Sequence, residues 1–321
     1  MRMLVTGAGG FLGKQVVCAL LERGHAVRAQ VRSAASPVPE VWRSRVEIVC
    51  CDFNSEPAME RLFVGVDVLV HLAVTLHGDA SSQFAGTVTA SEKLLAGMRR
   101  AGVTRHVVLA SSFSVYDWTA AKSPLTEDCA VESDPTGRDG YTRAKIAQEQ
   151  AVRKIAGDNG WTLTVLRPGL IYGPGAMLAA SAGVKAGKIF AVVAPSARLR
   201  LTQVENCAAA FADAAEKGVP GTFNIVDDER VTAWQYADRL SRKVRGTWRV
   251  IFPYNAGLIV ASVAEAVASI LPGAGRRRLP GLLRLSTYRA RFRPFEYDNT
   301  RAKAALGWKP KPLFESGSDV I

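Results

Sequence analysis

The sequence predicts an α/β fold, a doubly wound parallel sheet carrying a smaller, mostly C-terminal substrate lobe. Three observations predict it. Short β-branched runs alternate with amphipathic stretches through the first half of the chain. A glycine-rich turn joins the first run to the first amphipathic stretch. Gly24, Gly102 and Gly160 each stand where a helix ends before the next strand.

In chain order, strands are predicted at 3–6, 26–31, 46–50, 66–71, 106–110 and 162–166. Helices are predicted at 11–23, 82–100 and 141–155. After Pro174 the rhythm changes to helical segments, a short strand at 222–226 and loops rich in proline and arginine. Residues 1–171 and 198–227 are therefore assigned to a dinucleotide-binding domain, and 172–197 with 228–321 to the lobe.

The 321 residues, 48% hydrophobic and 22% charged, describe a globular chain with a sizeable core rather than a disordered one. Five scattered cysteines (Cys18, Cys50, Cys51, Cys129, Cys207) and four histidines (His25, His71, His77, His106) show no ligand spacing, so reduced thiols and no metal site are expected. The N-terminal residues carry no apolar targeting region, and the cytoplasm is the expected location. The net charge of +12 is spread along the chain, densest at Arg276, Arg277, Arg278, Arg284, Arg289, Arg291 and Arg293. No aromatic-basic cluster of a nucleic-acid binder is present, so a solvated basic surface is preferred, with an anionic substrate or acidic membrane surface as alternatives. The apolar stretch 256–271 is too short to span a bilayer and carries Glu265. It reads as a core helix, with a lipid-facing helix and peripheral membrane association as the alternative.

The turn after the first strand spaces Gly7, Gly10 and Gly13 as G-x-x-G-x-x-G, with Phe11 and Leu12 opening the helix. Such a turn lets the backbone approach a pyrophosphate, whose charge meets helix N-terminal amides, as in Rossmann folds. At the end of the second strand, Gln30-Val31-Arg32-Ser33 offers no acid for a ribose 2′-hydroxyl and does offer a guanidinium for a 2′-phosphate. NADP(H) is therefore favoured, and NAD(H) is the alternative. Asp52 and Phe53 are placed to flank the adenine, and Leu72 and Ala73, beside His71, to lie under the pyrophosphate and ribose. His71 itself reads equally as a buried structural histidine.

Tyr141 and Lys145 stand four apart, on one helix face. A neighbouring ammonium favours the phenolate, which brings a poor base toward a useful range. Ser111, Ser112 and Ser114 follow the fifth strand, at the sheet edge where open α/β sites lie. A hydroxyl there can hold a substrate oxygen against the tyrosine, although each serine also suits a turn or cap.

With these residues in place, the chain resembles the extended short-chain dehydrogenase/reductases, in the group of nucleotide-sugar epimerases and dehydratases and 3β-hydroxysteroid dehydrogenase-like enzymes. The resemblance rests on the turn from Thr6 to Gly13, His71-Leu72-Ala73, Ser111-Ser112 with Val115-Tyr116, Tyr141 with Lys145, and the run from Arg167 to Gly175. Asp298 to Lys303 and Leu306 to Pro310 resemble the family's closing segment. It implies a Ser112/Tyr141/Lys145 triad with Tyr141 as acid/base, and Tyr116 facing the substrate. It also implies a Pro168-Gly169 turn over the nicotinamide, and a homodimer by analogy. The chain departs from the family at Thr87, where an Asn is usual, at Leu170, where nucleotide-sugar members carry Asn, and at Glu205-Asn206. Leu170 and Arg32 favour an NADP(H)-dependent oxidoreductase acting on a secondary alcohol or ketone of a fairly apolar, steroid-, terpenoid- or lipid-like substrate. A nucleotide-sugar epimerase, dehydratase or reductase is the alternative, and a non-enzymatic dinucleotide sensor the third reading.

Overall fold

The computed structural model describes residues 1–53, 59–102, 105–174, 176, 179–243, 247–270, 279, 281–312 and 314. Seven parallel strands form the main sheet: β1 (Arg2–Thr6), β2 (Ala26–Val31), β3 (Glu47–Cys50), β4 (Val68–His71), β5 (His106–Ala110), β6 (Thr162–Pro168) and β11 (Gly221–Ile225). Their order is β11-β6-β5-β4-β1-β2-β3. The direction of winding reverses between β1 and β4, where Thr6 pairs with His71, and this opens a crevice at their carboxyl ends.

Alternation along β1 explains the two layers. Met3 and Val5 point to one face, packing with Val16, Val17 and Leu20 of α1 (Phe11–Glu22) and Phe211 of α6 (Val204–Lys217). Leu4 points to the other, with Leu94, Leu95 and Met98 of α4 (Ala90–Ala101) and Val152 of α5 (Gly140–Asp158). A single turn, α2 (Trp42–Arg45), precedes β3, and α4 continues α3 (Ala80–Phe84) through a π-helical turn at Ala85–Thr89. Gly24, Gly102 and Gly160 all take positive φ, as helix-ending glycines do.

The lobe has its own small sheets. β7 (Leu170–Tyr172) pairs with β10 (Leu201–Gln203), and a three-stranded sheet runs β12-β9-β8 from β8 (Gly183–Ala186), β9 (Ile189–Val193) and β12 (Trp248–Phe252). Tyr172, Phe190 and Tyr236 of α7 (Ala233–Lys243) form its core with Phe314.

Two expectations are corrected. The apolar stretch at 256–271 forms α8 (Tyr254–Ile270), but it is not a core helix: only Gly257, Ala261 and Ala268 are buried, and Ile259, Val260, Val263, Val267 and Ile270 face outward. Leu271 lies outside the described residues, as do Gly175 and the triplet Arg276, Arg277 and Arg278. The assignment of 228–321 to the lobe also fails at its end. Ala302 and Leu306 of α10 (Thr300–Leu306), with Trp308, are buried in the α1–α6 layer of the main domain, because these apolar residues complete that layer. The intervening α9 (Leu285–Phe292) packs against α8.

Candidate active site

The glycine turn is tight because backbone occupies the space a side chain would need. Gly7 has φ +67°, and a Cβ there would lie 3.0 Å from both the N and Cα of Ala73. Leu72 and Ala73 thus run directly against the turn, with the Ala73 amide 3.4 Å from Thr6 Oγ1. At Gly13 a Cβ would meet the Gly7 carbonyl oxygen at 2.2 Å and the Ala8 oxygen at 2.7 Å. Gly10 precedes α1 without a side-chain cap, and the first helical bond is donated by Lys14 to Gly10. The amides of Phe11, Leu12 and Gly13 thus open the helix ahead of that bond.

Gln30 holds the turn to the sheet. Its Oε1 accepts from the Gly7 amide at 3.1 Å and its Nε2 donates to the Cys51 carbonyl at 2.6 Å. Sequence reasoning passed over Gln30. The signal was an amide side chain in a run otherwise rich in alanine and valine. Just past β2, Arg32 is exposed and makes no hydrogen bond or ion pair among the described residues. Asp52 is exposed at the end of β3, whereas Phe53 is buried in the layer with Met59 and Leu62. His71 is structural: Nδ1 lies 2.7 Å from Thr6 Oγ1 and Nε2 2.8 Å from Ser91 Oγ. Burial, aided by the Lys145 charge, pushes its pKa down to about 3, so the ring stays neutral.

The catalytic candidates meet at the ends of β5 and α5. Ser112 caps a 3₁₀ turn at Phe113–Val115, its Oγ accepting from the Ser114 amide at 3.1 Å. Helix α5 is capped by Asp139, whose carboxylate accepts from the Thr142 amide at 2.9 Å, and this sets half-buried Tyr141 in the first turn. The Ser112 side chain lies close enough to the Tyr141 phenol to pull its pKa down. One turn later, Lys145 Nζ donates to the Ala110 carbonyl at 2.7 Å and Gln148 Oε1 at 2.9 Å.

The electrostatics differ from expectation in one respect. Burial raises the Tyr141 phenol above its ordinary range, with Ser112 pulling the other way, so it is an acid rather than a base at neutral pH. Lys145 is bound to the strand end instead of the phenol, and burial lowers its pKa to about 7 against the pull of Glu149. Gln148 extends the string, its Nε2 donating to Ser91 Oγ at 2.8 Å. Gln148 and Ser91 were also missed. Gln148 stands three residues after Lys145, at the spacing that keeps it on the same helix face. Thr87 falls in the π-helical turn, its hydroxyl accepting from the Thr75 amide at 3.1 Å and its carbonyl from Ser91 Oγ at 2.5 Å.

Tyr116 does not face a substrate pocket. It is fully buried, donates its hydroxyl to Asn224 Oδ1 at 2.7 Å, and lies under the Arg167 guanidinium at 4.6 Å. Burial pushes it up to about 12. Its role is to pack the wall behind the site. Ser111 likewise turns inward, to Glu149 Oε2 at 2.5 Å, and Glu149 pairs with Arg167.

Leu170 does line a small cleft, together with Arg198, Arg200, Arg291 and Tyr297. Gly169 brings its wall close, since a Cβ there would lie 2.3 Å from the Arg200 oxygen, and Pro168 is buried before it. Ser112 and Tyr141 lie outside this lining, but Arg291 feels the charge of Asp139, the cap of the tyrosine's helix. Asn206 is also structural, its Oδ1 accepting from the Lys311 amide at 2.9 Å.

Residues 3–225 match the model of the NAD dependent epimerase/dehydratase family. Among relatives, a 2-alkyl-3-oxoalkanoate reductase of Stenotrophomonas maltophilia is 32% identical, over 99% of this chain and 97% of its own. A 3-beta-hydroxysteroid dehydrogenase of Mycolicibacterium neoaurum is 29% identical, over 74% of this chain and 68% of its own. A UDP-glucose 4-epimerase of Thermotoga maritima, solved with UDP-glucose, shares the fold with a TM-score of 0.69 at 22% identity, covering 97% of this chain and 94% of that one. The chain belongs to the NAD-dependent epimerase/dehydratase family and is an oxidoreductase of the extended short-chain dehydrogenase/reductase type.

Proposed function

We propose that the protein is an NADP(H)-dependent oxidoreductase that interconverts a secondary alcohol and its ketone on a fairly apolar, steroid-, terpenoid- or lipid-like substrate. The observation that carries this reading is that Ser112 stands beside Tyr141, with Lys145 one helix turn on and tied through Gln148 to Ala73, the residue packed against the Gly7 turn. The turn fits a dinucleotide because the spaces at Gly7 and Gly13 are closed to any side chain. When bound, the nicotinamide supplies or accepts the hydride. Ser112 holds the substrate oxygen. Tyr141, kept protonated by burial, donates its proton to that oxygen in the reducing direction. Lys145, one turn along the same helix and held by the Ala110 carbonyl, is the cation placed to favour the phenolate that remains.

Arg32 supports the cofactor preference, since an exposed guanidinium without a partner suits a 2′-phosphate. Leu170 in the cleft supports an apolar substrate, as do relatives named for an alkyl oxoalkanoate and a hydroxysteroid. A nucleotide-sugar substrate is the second reading, favoured by the guanidiniums of Arg198, Arg200 and Arg291 around the same cleft. The test is to identify the copurifying dinucleotide and its exchange. Free exchange of NADP(H), with ketone-dependent NADPH oxidation, supports the first reading; NAD retained through turnover of a nucleotide sugar supports the second. Arg32→Ala should weaken NADPH by about 10- to 150-fold, the value of a charged hydrogen-bond set, and leave NADH unchanged.

A further inference from the structure

Helix α8 is built inside out. Its buried positions are the small Gly257, Ala261 and Ala268, with Tyr254 and Leu258 packed beside them at its first turns, and a Cβ on Gly257 would lie 2.1 Å from the Tyr288 hydroxyl. Its large aliphatic residues face away: Ile259, Val260, Val263, Val267 and Ile270 are 63, 52, 56, 52 and 82% exposed. Their spacing of three and four keeps them on one stripe. The other exposed positions are Asn255, Ser262, Ala266 and Ser269, so no charge interrupts it. The one charged residue of the helix, Glu265, turns toward the protein and accepts from the Leu285 amide at 3.0 Å. A helix facing only water would carry the opposite arrangement.

The strand before it continues the surface. On the edge strand β12, Trp248 and Ile251 are 72 and 63% exposed. The Trp248 amide donates to the Lys188 carbonyl at 2.7 Å, which joins this edge to the β8–β9 hairpin. There Val184 and Ile189 are exposed beside exposed Lys185 and Lys188, and neither lysine has an ion-pair partner among the described residues. Residues 183–193 and 248–264 contain no Asp or Glu.

We infer that this face docks on an anionic lipid bilayer. The aliphatic stripe and Trp248 enter the headgroup–acyl boundary, and Lys185 and Lys188 meet acidic headgroups. A chain of net charge +12 complements such a surface, whereas a second copy would set like charges together. No described helix is long and apolar enough to cross a membrane, so α8 lies on the bilayer rather than through it. The inference does not depend on which substrate is reduced.

The test is cosedimentation of the full chain with vesicles of phosphatidylcholine alone or mixed with phosphatidylglycerol. Binding should require the acidic lipid and weaken as salt rises. The pair Val263→Asp and Val267→Asp should lower partitioning by at least about tenfold while leaving thermal melting and dinucleotide affinity unchanged. Lys185→Glu with Lys188→Glu should remove the preference for acidic lipid. Protein left in the supernatant with both vesicles, or equal binding by the aspartate variant, would overturn the inference. So would a lipid-indifferent dimer that the aspartate variant splits, which would assign the face to a second copy.

Discussion

Replacing Gly13 by alanine challenges the dinucleotide turn where it is most crowded. The added methyl carbon would stand 2.2 Å from the Gly7 oxygen, 2.7 Å from the Ala8 oxygen and 2.8 Å from the Ala8 Cα. All three neighbours are backbone, so no rotamer change relieves the overlap. Either α1 moves off the sheet or the turn itself shifts. Overpacking of this kind costs about 1–3 kcal/mol, and if it falls on the bound state it weakens the cofactor by about 5- to 150-fold. Gly9 is the internal control. A Cβ there would meet Val31 Cγ1 at 3.7 Å and Ser36 Cβ at 3.9 Å, ordinary contact distances, so Gly9→Ala should bind within about twofold of wild type. The assay is fluorescence titration with NADPH and NADH, with thermal melting alongside to separate a displaced helix from a displaced turn. Equal affinity in Gly13→Ala and Gly9→Ala would refute the idea that backbone closure at Gly13 shapes the cofactor site.

Other perturbations probe the supports around this turn. Tyr141→Phe should retain cofactor affinity and lose about 10²- to 10⁴-fold in kcat, measured by single-turnover NADPH oxidation; near-normal turnover would remove Tyr141 as the proton donor. Glu149→Gln should cost about 3–5 kcal/mol in urea unfolding, because it leaves the buried Arg167 guanidinium without its counter-charge. Lys145 is lowered to about 7 from 10.5, so the folded state binds fewer protons than the unfolded state between those values. Wild-type stability relative to Lys145→Met should therefore be flat below about pH 7 and rise from there toward pH 10.5; a flat difference throughout would place Lys145 in a less buried setting.

Much of the large domain was legible because its rules are local. The strand at 26–31 was read at its observed bounds, and its neighbours differ by a residue or two at their ends, since β-branched runs and helix-ending glycines mark them. The lobe was less legible. Strands β7 and β10 have three residues each, too few to show alternation, and α8 carries an apolar pattern whose direction the sequence does not state. At the site, Ser112 stands beside Tyr141, but Lys145 is bound to the Ala110 carbonyl and Gln148, and Tyr116 is committed to Asn224 and Arg167, partners distant in sequence. Gln30, Ser91 and Gln148 escaped notice for the same reason: their partners lie on other strands and helices.

The burial of Trp308 against α6, with its indole nitrogen donating to the Asn206 carbonyl at 2.9 Å, bears on the order of events during synthesis. All seven strands of the main sheet are translated by residue 225, yet the α1–α6 layer lacks Ala302, Leu306 and Trp308 until roughly 80 residues later. At roughly 5–20 residues per second, the nascent sheet waits on the order of 4–16 s with that apolar surface uncovered. A ribosome-bound chain stopped near residue 230 should therefore be a strong client for hydrophobic-binding chaperones, and one extended past Trp308 a weak one.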